Sequence, residues 1–136
     1  MLRRLMQLAA VAALVSACDT RVPGLVGVTA PATQIVFTSQ PSDVQVGNPI
    51  LPAVRIEIRN GLGQTVTSGS VDIILTITPT TGAPGATLIG GATQTTLNGV
   101  VIFTNLRIDT PGTGYQLLAS ASGFPSVSSV SFNVTP

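Results

Sequence analysis

Residues 53–60 alternate without a break. Val54, Ile56 and Ile58 are apolar, and Arg55, Glu57 and Arg59 between them are charged. Successive side chains of a strand point to opposite faces, whereas a helix repeats about every 3.6 residues. This stretch is therefore a strand with one face in a core and one in water. Asn60-Gly61 follows, a dipeptide suited to positive φ in a tight turn. The same period recurs along the chain. Val71, Ile73, Leu75 and Ile77 share one face of residues 71–78, opposite Asp72, Thr76 and Thr78, and Ile74 on the polar face implies partial cover on both sides. Tyr115, Leu117, Ala119 and Ala121 alternate with polar residues over 115–122, and Val130, Phe132 and Val134 form a last strand.

The remaining elements are weaker. Residues 33–39 make a first strand with Ile35 and Phe37 on one face, ended by Gln40-Pro41, and Val44 and Val46 continue the edge after a kink. Residues 64–67 lead from the first turn toward the strand at 71–78. Residues 79–91 are loop-rich with a short strand at 86–89, and 93–97 is a further weak strand before the Asn98-Gly99 turn. In residues 100–108, Val101 and Phe103 share one phase and Leu106 and Ile108 the other, which a bulge near Thr104-Asn105 reconciles. Long helical patterns are absent from residues 33–136, and Thr, Val, Ile and Ser favour extended structure. The sum is an all-β chain of about seven antiparallel strands in roughly 100 residues, the size of an immunoglobulin-like β-sandwich. Tyr115 reads either as a core-edge side chain or as a tyrosine corner bonded to upstream backbone.

Composition narrows the chemistry. The 136 residues include no His, no Trp and one Cys, and only 8% are charged, against a usual share of roughly 25%. Without His there is no Ser-His-Asp or Cys-His catalysis and no His-ligated metal. One Cys excludes a disulfide framework and a zinc finger. A net charge of +1 gives no basic patch for nucleic acid. With 44% hydrophobic residues the chain is not of disordered composition.

The N-terminus is read separately. Arg3 and Arg4 precede an apolar run over residues 8–15, and small residues Ser16 and Ala17 stand before Cys18. This is the plan of an export signal. Its apolar part, residues 5–17, is shorter than the roughly 20 residues that cross a bilayer. Val15-Ser16-Ala17-Cys18 resembles the bacterial lipobox, with Leu14 and Val15 as the apolar residues upstream. The resemblance implies that Val15, Ser16 and Ala17 are the signal-peptidase recognition residues. It also implies cleavage before Cys18 and acylation of that cysteine, palmitate included. The bland alternative is an ordinary signal peptide with a chance cysteine. The only Cys in the chain falls at this position, and a lone thiol is otherwise a liability in an exported protein.

Cleavage leaves 119 residues carrying four arginines and five carboxylates, a net charge of −1. Asp19 directly after the cysteine implies retention at the inner membrane in enteric bacteria, a rule other lineages do not obey. The expected location is the bacterial cell envelope, the outer membrane ahead of the inner, with Asp19 leaving that choice open. Residues 18–32, with two prolines and two glycines after the cysteine, read as a tether. The alternative is that residues 25–28 add a short strand to the domain edge. The expected organisation is signal peptide 1–17, acylated Cys and tether 18–32, and sandwich 33–136.

The run IVFTSQPSDVQVGNPILPAVRIEIRNGLGQTV (35–66) followed by NGVVIFTNLRIDTPGTGYQLLASASG (98–123) resembles bacterial Ig-like domains of the invasin and intimin kind. The resemblance spans nearly all of residues 33–136. It rests on the strand-turn-strand around Asn60-Gly61, the Asn98-Gly99 turn before a Val/Phe strand, and the Gly-Tyr entry to the next strand. It implies surface display, adhesion or ligand binding. Such domains often stand in tandem, whereas these residues hold one copy, a departure from the pattern of a long stalk.

Asp43, Glu57, Asp72 and Asp109 are far apart in sequence and form no D-x-D cluster, so no calcium site is expected. A pair of them as glycosidase carboxylates is weighed and set below solvated turns and strand ends. Arg55, Glu57 and Arg59 read as an exposed salt-bridged ladder. The Asn133-Val134-Thr135 sequon reads as chance. The reading is a non-enzymatic, lipid-anchored module with no cofactor or metal. Its partners are the membrane, through the lipid, and a glycan or envelope protein. The alternative is a structural envelope component associating with other envelope proteins.

Overall fold

The computed structural model describes residues 30–136. The expectations for the signal, for Val15, Ser16, Ala17 and Cys18, and for a strand at 25–28 lie outside them. Among the described residues there is no helix, and twelve strand segments follow in order. They are β1 (Ala32–Ser39), β2 (Val44–Gln45), β3 (Val54–Asn60), β4 (Asp72–Ile77), β5 (Leu88–Ile89), β6 (Gln94–Thr95), β7 (Val100–Phe103), β8 (Arg107–Ile108), β9 (Gly112–Tyr115), β10 (Leu117–Ser120), β11 (Val127–Ser128) and β12 (Phe132–Thr135).

One sheet is β1-β3-β7, all antiparallel. On the other side, β4 pairs with β6 and β10, β10 with β11, and β12 with β9 and β2. β9 and β10 are one strand interrupted at Gln116, and β11 and β12 one strand interrupted at residues 129–131. The second layer is therefore β2, β11/β12, β9/β10, β4 and β6 side by side. The β2–β12 pair is parallel, because the first strand crosses from one layer to the other after Pro41 and runs beside the last. This is an immunoglobulin-like β-sandwich.

The two layers face each other through one core. Ile35, Phe37, Val54, Ile56, Ile58, Val101 and Phe103 come from the first sheet, and Ile73, Leu75, Tyr115, Leu117, Ala119, Phe132 and Val134 from the second. Each sits on the face its period assigns. Burying each large side chain contributes about 1.5–3 kcal/mol. Leu106 and Ile108 are also fully buried, and the phase change is made by a strand break at residues 104–106, after which the chain leaves β3 for β5.

Three expectations are corrected. The tight turn at Asn60-Gly61 is a longer loop whose positive φ falls on Gly63 (+81°). Asn60 is buried, and its Oδ1 accepts from the N–H groups of Leu62 (2.9 Å) and Gln64 (3.0 Å), so the side chain does the work of a turn. Val130 does not join the inward face of the last strand. It is 51% exposed, because buried Ser129 takes the inward place. The Ser129 Oγ accepts from Leu117 N–H (2.9 Å) and donates to the Val130 carbonyl (2.8 Å), which breaks the strand and leaves β11 as a separate piece that periodicity did not show. Finally, the charged ladder forms but is not fully exposed, as described below. Ile74 lies in a shallow groove beside Asp72, Thr93 and Ser120 and stays 42% exposed. At Asn98-Gly99 the expected two-residue turn is present, with φ of +53° and +75°.

The pairing register fixes which loops share an end. Ala32 pairs with Asn60, and Val100 with Glu57, so the chain enters at the end carrying the loop after β3 and the Asn98-Gly99 turn. Ile77 pairs with Leu117, and Thr135 with Gln45, so the loop after β4, the residues before β9 and the last strand's end lie at the opposite pole.

Candidate binding surface

At that opposite pole, the loop from Thr78 to Thr87 leaves β4 and folds over the bottom of the core. Its sequence, TPTTGAPGAT, is rich in residues that break strands and set turns. Thr81 fastens it. The Thr81 Oγ1 donates to the Thr78 carbonyl (2.7 Å) and accepts from Gln116 N–H (3.2 Å), in the gap between β9 and β10. Gly82, at φ +71°, lies on the ring of Tyr115; a β-carbon there would fall 2.1 Å from ring carbons. Tyr115 is fully buried and donates its hydroxyl to the Thr110 carbonyl (2.8 Å), so the tyrosine-corner alternative is the one that forms.

Between these fixed points Thr80 adopts φ +68°. A β-branched side chain rarely takes that conformation, and strain of this kind costs on the order of 1–3 kcal/mol. It persists where the surroundings over-determine it. The loop encloses a cleft of about 400 Å3 lined by residues 77–86 and open to solvent. A second groove of about 470 Å3 adjoins it, sharing Ile77 and Ala86, and runs along the outer edge of β4 toward Gly91. The two shallow depressions meet at Ile77 and Ala86 and are taken together as a trough, with threonines around the first and Ile74, Leu75 and Leu88 along the second. In the sequence this stretch reads as loop, and its one signal is the density of Thr, Pro and Gly.

The four domain carboxylates are not brought together. Asp43 accepts from Asn133 N–H (2.7 Å), Asp72 from the Thr95 hydroxyl (2.5 Å), and Asp109 from Thr87 N–H and the Thr110 hydroxyl (both 2.8 Å). Those bonds hold Asp109 below the usual carboxylate range, the Thr87 N–H foremost. Among the described residues no three His, Cys, Asp or Glu side chains cluster as metal ligands.

Glu57 lies on the outer face of β3, flanked by Val36 and Val100 on the neighbouring strands, and is 8% exposed. Arg55 reaches Oε1 at 3.1 Å and Arg59 reaches Oε2 at 3.0 Å, and the Thr65 hydroxyl donates at 2.9 Å. Burial, the largest single influence, pushes the carboxyl up. The hydrogen bonds from Arg59 and Thr65 and the charges of both arginines together outweigh it and hold Glu57 below its ordinary value. With both guanidiniums occupied by Glu57, the ladder is a structural clamp.

No protein-family model matches the chain, and no curated protein matches it. Among solved structures it is similar to a glycosyl hydrolase family 2 member from Bacteroides cellulosilyticus, with a TM-score of 0.52 and 13% identity, over 76% of this chain. The chain spans 14% of the length of that protein. The likeness is one of fold.

Proposed function

We propose that the protein is a lipid-anchored, non-catalytic Ig-like module of the bacterial cell envelope, which presents a binding surface for display, adhesion or ligand capture. The observation that carries this reading is polarity. The chain enters the sandwich at Ala32, at one pole, and the trough opens at the other. A cysteine in the lipobox-like Val15-Ser16-Ala17-Cys18 precedes the entry point by fourteen residues, so a lipid on Cys18 holds the near pole and leaves the far one free. Threonine hydroxyls, exposed backbone and a run of apolar side chains suit an extended ligand that is itself rich in hydrogen-bonding groups, a glycan chain or a peptide strand. The likeness to a small share of a much longer protein supports the reading of a module.

The test is a screen of the purified protein against arrays of glycans and envelope proteins, with Thr80→Arg beside the wild type. Binding by the wild type that the arginine abolishes supports the reading. Binding that Thr80→Arg leaves intact, or none at all, counts against it.

A second reading, a structural envelope component, draws on the sheet edges. Among the described residues no strand pairs with the outer edge of β1 or with that of β7, and an unpaired edge is a template for another chain. Crosslinking in cells separates the two: a fixed envelope partner favours the second, a ligand from outside the cell the first.

A further inference from the structure

The two most exposed large apolar side chains of the domain are Leu62, at 79%, and Leu97, at 77%. Both stand at the entry pole. Leu62 is in the loop closed by Asn60, whose strand position pairs with Ala32. Leu97 flanks the Asn98-Gly99 turn and bridges to Val100. The two loops are locked together: Ile58 donates its N–H to the Gly99 carbonyl (2.9 Å) and Val66 donates to Ile58 (2.9 Å). A β-carbon on Gly99 would fall 2.1 Å from the Val66 carbonyl oxygen. The leucines are thus held outward by a rigid frame, and no other part of the described domain covers them.

We propose that this pole rests on the lipid surface to which Cys18 is tied, with Leu62 and Leu97 entering the headgroup layer and the threonine-rich trough facing away. The inference depends on the lipid-anchor reading and adds an orientation to it. The fourteen residues 19–32 that follow Cys18 reach at most about 45–50 Å. The pole from which the tether leaves therefore meets the membrane at high effective concentration. An apolar side chain presented at an interface in this way partitions into it, and two leucines on separate loops fix a tilt that one tether cannot.

The experiment uses the full-length lipidated protein in vesicles of phosphatidylethanolamine and phosphatidylglycerol containing brominated lipid. Leu62→Cys, Leu97→Cys and Thr80→Cys each add one thiol, the acylated Cys18 being blocked, and carry a bimane label. The two leucine positions are solvent-facing, so substitution leaves the core intact. The expected result is loss of emission at positions 62 and 97 and none at 80. Protein that carries lipid and sediments with the vesicles, yet shows no more quenching at 62 and 97 than at 80, overturns the orientation and leaves the anchor standing. Disulfide dimers of the unlabelled Leu62→Cys protein, with no quenching of its labelled form, point to a second copy as the occupant and overturn it as well. Wild-type protein that takes no lipid and stays in solution overturns the anchor, and the orientation with it.

Discussion

Gly82 lies flat against the ring of Tyr115, so close that a β-carbon would sit 2.1 Å from Cδ1 and Cε1. The contact joins a residue of the trough loop to the centre of the core across 33 positions of sequence. It also sets the first prediction. Gly82→Ala meets both the ring and a positive φ, and overpacking of this kind costs about 1–3 kcal/mol, with roughly 1 kcal/mol more from the backbone. Thermal melting is expected to fall by about 4–8 °C per kcal/mol lost. An unchanged midpoint contradicts the contact.

Tyr115→Phe keeps the ring and removes the hydroxyl that bonds the Thr110 carbonyl. The loss is that of one hydrogen bond, about 0.5–1.5 kcal/mol. Denaturant melts of the two proteins check it, with the midpoint lowered and the slope unchanged. A midpoint equal to the wild type's removes the tyrosine corner from the account of stability.

Ser129→Ala takes away the acceptor of the buried Leu117 N–H. An unsatisfied buried donor costs about 1–3 kcal/mol, more than the deleted hydroxyl suggests. Hydrogen exchange at the Leu117 amide reads this locally: faster exchange is expected there, and protection equal to the wild type's contradicts it.

Stability is also pH-dependent through Glu57. Its carboxyl is held below the ordinary value of 4.5 in the folded chain. The unfolded chain therefore takes up the proton first on acidification. The stabilisation is present above the ordinary value and is lost as pH falls through the folded one. Asp109 titrates in the same sense from its lowered position. Melting temperatures below pH 5 are expected to fall steadily for the wild type and less steeply for Glu57→Gln. Parallel curves place the acid sensitivity elsewhere.

The parts legible in sequence were those where period two meets a single core. Ile56, Leu75 and Leu117 each lie on the face their neighbours' alternation assigns. The misreadings fall where a side chain replaces a backbone partner. Asn60 caps its loop from a buried position in phase with Val54, Ile56 and Ile58, where its polarity alone argues for the surface, and Ser129 takes an inward place that alternation reserves for Val130. The trough was not legible, because its shape comes from Gly82 meeting Tyr115 and Thr81 meeting Gln116, contacts that no local pattern encodes. The Arg55–Glu57–Arg59 ladder is legible in the alternation of β3, whereas the burial of Glu57 comes from Val36 and Val100 on the strands at either side.

The central claim is that Cys18 carries the lipid that holds this sandwich at a membrane. Radiolabelled palmitate fed to cells making the wild type or Cys18→Ser decides it. The account predicts label in the wild type and none in the variant, which also remains uncut before residue 18. Equal labelling of both proteins, or none in either, contradicts it.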